Sequence, residues 1–135
     1  MRKLIGLTRF RHFPSFSFVR RSRRGRRDVA DAYDHLAPDL VVLLGDRFEI
    51  LAAASAALIA GIPIAHLHGG EVTEGAYDDA IRHALTKMAH LHFTAAAPYR
   101  DRVVQMGEDP KNVWTVGGFG FDGVKKLDRM SQSEL

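Results

Sequence analysis

Three short stretches carry residue types that could do chemistry: GD at 45–46, HLHGGE at 66–71 and DDAIRH at 78–83. Each lies where an apolar run stops or an amphipathic one begins, the points at which an α/β chain leaves its core. Asp46, Glu71, Asp78 and Asp79 would place several carboxylates around one cavity. Carboxylates held together repel, which separates their pKa values and creates distinct acid and base roles. Gly69 and Gly70 lack a Cβ, so the backbone can turn sharply there and approach a ligand closely. The chemistry expected of such a set is proton transfer.

Each residue also has a plainer account. Asp46 follows a strand and can cap the next helix, and Glu71 can be an exposed loop carboxylate. Asp78 and Asp79 stand where a helix begins, a place the helix dipole favours for acids. Arg82 and His83 follow them by four residues, the spacing of helical ion pairs. His66 and His68 alternate onto one face of a strand, and His90 and His92 repeat the spacing, so a site of two histidines and one carboxylate is conceivable. Strand-end histidines more commonly hydrogen-bond to backbone or to a carboxylate, and no metal is expected. HExxH, a Walker loop and a G-x-S-x-G elbow are absent, and GGFGFDG lacks dinucleotide spacing, so no cofactor is expected either.

The elements that must position these residues are legible from Asp28 onward. DVADAYDHL predicts a short helix closed before Pro38. LVVLLGD is a continuous apolar run ending in glycine and predicts a strand covered on both faces of a parallel sheet. EILAAASAALIA predicts an alanine-rich helix, with Gly61 as its left-handed cap, and IPIAHLH the next strand. DDAIRHALTKMAHL repeats Ile81, Ala84, Leu85 and Met88 at helical spacing. HFTAA reads as a strand, PYRDRVVQMG as a helix with Pro98 in its first turn, NVWTVGG as a strand and GFDGVKKLDRM as a helix. Strand and helix alternate at spacings suited to right-handed crossovers, which predicts a Rossmann-like α/β unit. In such sheets ligands bind beyond the carboxyl ends of the strands, where GD and HGGE both fall.

Composition bounds the rest. A chain of 135 residues supports one domain, and its 46% hydrophobic and 26% charged residues fit a globular protein. No apolar stretch reaches the roughly 18 residues of a membrane helix, and no secretory signal is visible, so a cytoplasmic location is the default. With no cysteine, thiolate chemistry and disulfides are excluded. Residues 1–27 hold ten of the nineteen basic residues and no acid, an atypical segment that reads as a solvated, disordered tail rather than a nucleic-acid arm. The domain proper is then 28–130, with a polar tail at 131–135.

LGDRFEILAAASAALIAGIPIAHLHGGEVTEGAYDDAIRHALTKMAHLHF, continuing through YRDRVVQMGEDPKNVWTVGGFGFD, resembles the hydrolysing UDP-N-acetylglucosamine 2-epimerases of sialic-acid and related nonulosonate biosynthesis. The resemblance covers about Pro38 to Leu127, and its core of GDR-E, HGGE-T and DD-IRHA-TKM-H is specific. It implies the GT-B architecture, two Rossmann-like domains facing across a cleft, of which this chain would be part of the first. It also implies a reaction: UDP is eliminated across the first two ring carbons of UDP-N-acetylglucosamine, and water then adds to give N-acetylmannosamine. By the same resemblance Asp46 and Asp78 are catalytic, and Arg47, Gly69, Gly70, Asp79, Arg82 and His83 are substrate-binding. A further catalytic Glu of some members aligns with His68, and Glu71 is the nearest carboxylate, so both join the catalytic candidates.

The opening residues begin like the family's first strand and nucleotide loop and then lose the pattern. Nothing after Leu135 supplies a second domain. The expectation is a fragment, inactive without the missing C-terminal domain or a split partner chain, with a homo-oligomer as the family tendency. The alternatives are a non-catalytic binding or assembly module and another GT-B enzyme, such as a glycosyltransferase.

Overall fold

A computed structural model describes residues 4–6, 18–73 and 77–119, with side chains described from Arg27 onward. Five strands, β1 (Leu4–Gly6), β2 (Leu40–Leu44), β3 (Ile64–Leu67), β4 (Leu91–Thr94) and β5 (Val113–Thr115), form one sheet in chain order, every neighbouring pair parallel. Helices α1 (Phe18–Leu36), α2 (Phe48–Ile59), α3 (Asp78–Met88) and α4 (Ala97–Gln105) connect them, with a 3₁₀ turn at Pro110–Asn112 before β5. The expected α/β, Rossmann-like parallel sheet with flanking helices is the fold found. The helix read in GFDGVKKLDRM lies outside the described residues.

α2 is the middle of the core because its residues are small. Ala53, Ala54, Ala56 and Ala57 are all buried, which lets α2 lie close to the sheet and to its helical neighbours. Tyr33 of α1 packs against it and donates its hydroxyl hydrogen to the Ala53 carbonyl at 3.3 Å. Burial pushes the Tyr33 phenol up to about 12. Ile81, Leu85 and Ala89 carry the same core on to α3. Gly61 ends α2 at φ 68°, as expected.

Two expectations change. The helix read over Asp28–Leu36 begins earlier, at Phe18, so the basic run through Arg27 is helical: arginine and serine are adequate helix formers even without an apolar stripe. β2 is not buried on both faces, since Val41 and Leu43 are buried while Leu44 is 39% exposed. A sheet whose strand order never reverses, joined by right-handed crossovers, carries its connecting helices on one face. The registered row Leu43, His66, His92 and Val113 faces those helices and is buried. The next row, Leu44, Leu67, Phe93 and Trp114, faces the other way, and Trp114 is 41% exposed with its ring stacked on Phe93 at 5.3 Å.

Candidate functional site

The site is assembled at the carboxyl ends of β2 and β3 and the start of α3. Gly45 leaves β2 at φ 86°, a conformation that favours glycine, and the chain turns there so that Asp46 meets α3. Arg82 Nη2 donates to Asp46 Oδ2 in a close ion pair and to Thr73 Oγ1 at 3.0 Å. The pair is largely withdrawn from water, with 7% of the Arg82 side chain exposed and 20% of that of Asp46. The Nε and Nη1 groups of Arg82 are buried and have no partner among the described residues. Asp46 therefore does not act as the cap it resembles: Arg47 occupies that position and makes no side-chain cap bond.

Local spacing pointed Arg82 at Asp78, and the fold directs it to Asp46 instead. Asp78 opens α3 one turn before Arg82, on the same helix face, and its half-buried carboxylate has no partner among the described residues. Asp79 behaves as helix spacing predicts, 3.6 Å from His83, and also accepts the Thr73 amide N–H at 3.3 Å. Arg47 is not brought to the cluster. Its side chain is 74% exposed and lies 3.5 Å from Glu49.

His68 breaks the strand alternation expected of it. Its amide still donates to the Phe93 carbonyl at 2.8 Å, but its φ is 64°, which ends β3 at Leu67 and swings the ring away from the contacts of His66. His68 Nδ1 and Glu71 Oε1 are 2.7 Å apart, and the Phe119 ring lies 5.4 Å from the imidazole. A carboxylate on Nδ1 fixes the tautomer with the hydrogen there and leaves Nε2 as the proton-accepting atom. A left-handed non-glycine residue carries backbone strain, of the kind that gathers at functional positions.

The two glycines are required by packing within the protein. A Cβ on Gly70, which has φ 78°, would collide with the Tyr99 carbonyl of α4, while the Gly70 carbonyl accepts from Arg102 Nη1. A Cβ on Gly69 would stand 3.1 Å from both His66 Nδ1 and Thr86 Oγ1. His66, beneath it, is fully buried, with Nε2 2.8 Å from the Gly45 carbonyl, and burial lowers its pKa to about 4. The histidine pairs are thus split rather than convergent. His90 Nδ1 accepts the Ile64 amide, and His92, its pKa lowered by burial, meets Glu108, which is also bound by Lys87. No group of three potential metal ligands occurs among the described residues. Reading by residue type missed Thr73 and Thr86, whose hydroxyls join the loop and α3 to Arg82 and His66, because threonine carries no distinctive local signal.

Comparison with known proteins bears on what this arrangement is. The family model described as UDP-N-acetylglucosamine 2-epimerase matches residues 23–135. The chain is 44% identical over 106 residues to the GDP/UDP-N,N'-diacetylbacillosamine 2-epimerase (hydrolyzing) of Campylobacter jejuni, covering 78% of this chain and 28% of that protein. It is 38% identical over 102 residues to the UDP-N-acetylglucosamine 2-epimerase of Neisseria meningitidis serogroup B, covering 76% and 25%. A crystal structure of UDP-GlcNAc 2-epimerase from Neisseria meningitidis bound to UDP-GlcNAc superposes with a TM-score of 0.77 at 21% identity, over 85% of this chain and 32% of that one. The chain spans about a quarter to a third of the length of these relatives. Motif, sheet and match over most of the chain agree: it belongs to the UDP-N-acetylglucosamine 2-epimerase family.

Proposed function

We propose that the chain supplies the acid–base side of a hydrolysing 2-epimerase acting in the cytoplasm on UDP-N-acetylglucosamine or a related UDP-linked diacetamido sugar. The observation that carries this reading is the Asp46–Arg82 pair, which draws the end of β2 to the helix whose first residue is Asp78. In the first step a base removes the proton from the second ring carbon while the bond from the first ring carbon to the UDP oxygen breaks and UDP leaves. In the second, water adds hydroxyl to the first carbon and an acid returns a proton to the second on the opposite face.

Asp46, held by Arg82, and Asp78, which has no partner among the described residues, are the carboxylates assigned to proton transfer. His68, oriented by Glu71, takes the place of the family's further glutamate: Nε2 accepts or returns a proton and the Glu71 carboxylate stabilises the imidazolium. The buried Nε–H and Nη1–H groups of Arg82 are donors suited to sugar or phosphate oxygens. Asp79 and His83 extend the polar edge of α3, and Gly69 and Gly70 line the loop above it. A metal or organic cofactor has no step in this scheme.

The test is a fusion of this chain to the part of the Campylobacter relative that it does not cover, assayed with UDP-N-acetylglucosamine and with UDP-diacetylbacillosamine. Release of UDP together with the free 2-epimerised sugar supports the proposal. UDP release with glycosyl transfer to an acceptor, and no epimerised sugar, contradicts it.

A further inference from the structure

His66 lies outside the groups assigned to proton transfer, yet three segments of the site meet on its ring. Its Nε2 is 2.8 Å from the carbonyl of Gly45, the residue whose left-handed turn delivers Asp46. Its Nδ1 is 3.3 Å from Thr86 Oγ1, and that hydroxyl also donates to the Arg82 carbonyl at 3.0 Å. Gly69 covers the contact from above, where a Cβ would press on both partners at 3.1 Å. The ring is fully buried, so neither nitrogen exchanges its partner for water.

We propose that His66 is a positioning residue: it ties the turn bearing Asp46 to the segment of α3 bearing Arg82, and so holds the Asp46–Arg82 pair in register. A carbonyl only accepts hydrogen bonds, so the imidazole must carry its hydrogen on Nε2, and the Nδ1 lone pair then takes the longer arm of a three-centre bond, sharing the single hydroxyl hydrogen of Thr86 with the Arg82 carbonyl. The neutral ring is the form that meets both requirements, and its burial maintains that form. Gly45 and Arg82 sit at opposite ends of this relay, and Asp46 and Arg82 close it into a ring of contacts through their own ion pair. Loss of the Nε2–H donor leaves the Gly45 carbonyl without its side-chain partner and frees the turn. The epimerase reading enters only in what the Asp46–Arg82 pair does, and the test below uses no substrate, so failure of one is distinguishable from failure of the other.

The experiment is NMR on the isotopically labelled chain without ligand. In the wild type, long-range proton–nitrogen correlation reads the His66 tautomer at neutral pH, with hydrogen on Nε2 expected and hydrogen on Nδ1 overturning the proposal. His66→Gln keeps an N–H donor within reach of the Gly45 carbonyl, and His66→Leu removes it. Exchange of the Arg82 guanidinium hydrogens is expected to be about tenfold faster in His66→Leu, as for one lost hydrogen bond, with His66→Gln close to wild type. The Asp46 carboxyl carbon should move with Leu and stay with Gln. Equal effects of Gln and Leu, or no effect of Leu, would mean that His66 only fills space. Should the Leu variant not fold, Thr86→Val decides: it removes the hydroxyl at the α3 end, and faster Arg82 exchange with an unchanged His66 tautomer supports the relay, while unchanged exchange overturns it.

Discussion

Arg82 and Asp46 are 36 residues apart in the chain and form a hydrogen-bonded ion pair that is largely shielded from water. One comes from the second turn of α3 and the other from the turn after β2, so the bond joins two of the three polar stretches. The Nε–H and Nη1–H groups of Arg82 are buried and have no partner among the described residues.

Removing one partner should cost far more than replacing both. Asp46→Ala strands a buried guanidinium and is expected to lower unfolding stability by about 3 kcal/mol. Asp46→Leu combined with Arg82→Met should recover most of that loss. Urea titration of the wild type, Asp46→Leu, Arg82→Met and the double variant measures the coupling, and additive losses would show that the two side chains do not interact.

The His68–Glu71 contact predicts a graded loss of turnover in the fused enzyme. His68→Ala removes the proposed proton carrier and should lower kcat by about 10²- to 10⁴-fold. Glu71→Gln retains the imidazole but loses the charge that orients it, so its loss should be smaller. Steady-state kinetics on the variants checks the order, and an unaffected His68→Ala enzyme removes the dyad from the scheme.

The glycines separate strain from collision. Gly61 has φ 68° and open space around its missing Cβ, so Gly61→Ala should cost only the left-handed penalty, about 1 kcal/mol. Gly70 has φ 78° and the Tyr99 carbonyl in the way, so Gly70→Ala should cost on the order of 3 kcal/mol. Chemical denaturation of the two variants tests the difference, and equal losses would contradict the close packing of the loop on α4.

His66 gives stability a defined pH dependence. Its folded pKa of about 4 lies below the ordinary 6.5, so the unfolded chain takes up the proton first as pH falls. The contribution is fully present above pH 6.5 and is lost between there and about 4, amounting to about 3 kcal/mol. Within this window the charges of Arg82 and Asp46 and the neighbouring His92 act on the same ring, and His92 is displaced in the same direction. Urea midpoints from pH 4 to 7 should flatten, though not fully, in His66→Gln, and an unchanged slope would remove His66 as its source.

Much of this fold is written locally, and the site is not. The run LVVLLGD, the alanines of α2 and the left-handed cap at Gly61 each follow from neighbouring residues, and the elements form where those signals fall. Arg82 shows the limit: helix spacing offers it Asp78, but the proximity of β2 to α3 is a property of the sheet and supplies Asp46. His68 shows another, since strand alternation holds until a residue takes positive φ, and a histidine gives no sign that it will. Gly69 and Gly70 are recognisable as special, but their demands come from His66 and Tyr99 on other elements.

Asp46, fixed by Arg82, is proposed to take part in moving the proton at the second carbon of a UDP-sugar. The most direct measurement is proton NMR of the sugar released when the fused enzyme turns over in heavy water. Deuterium is expected at the second carbon of an epimerised product, with no such product from the Asp46→Asn enzyme. Released sugar that keeps its original proton at that carbon, or full turnover by the Asn variant, would contradict it.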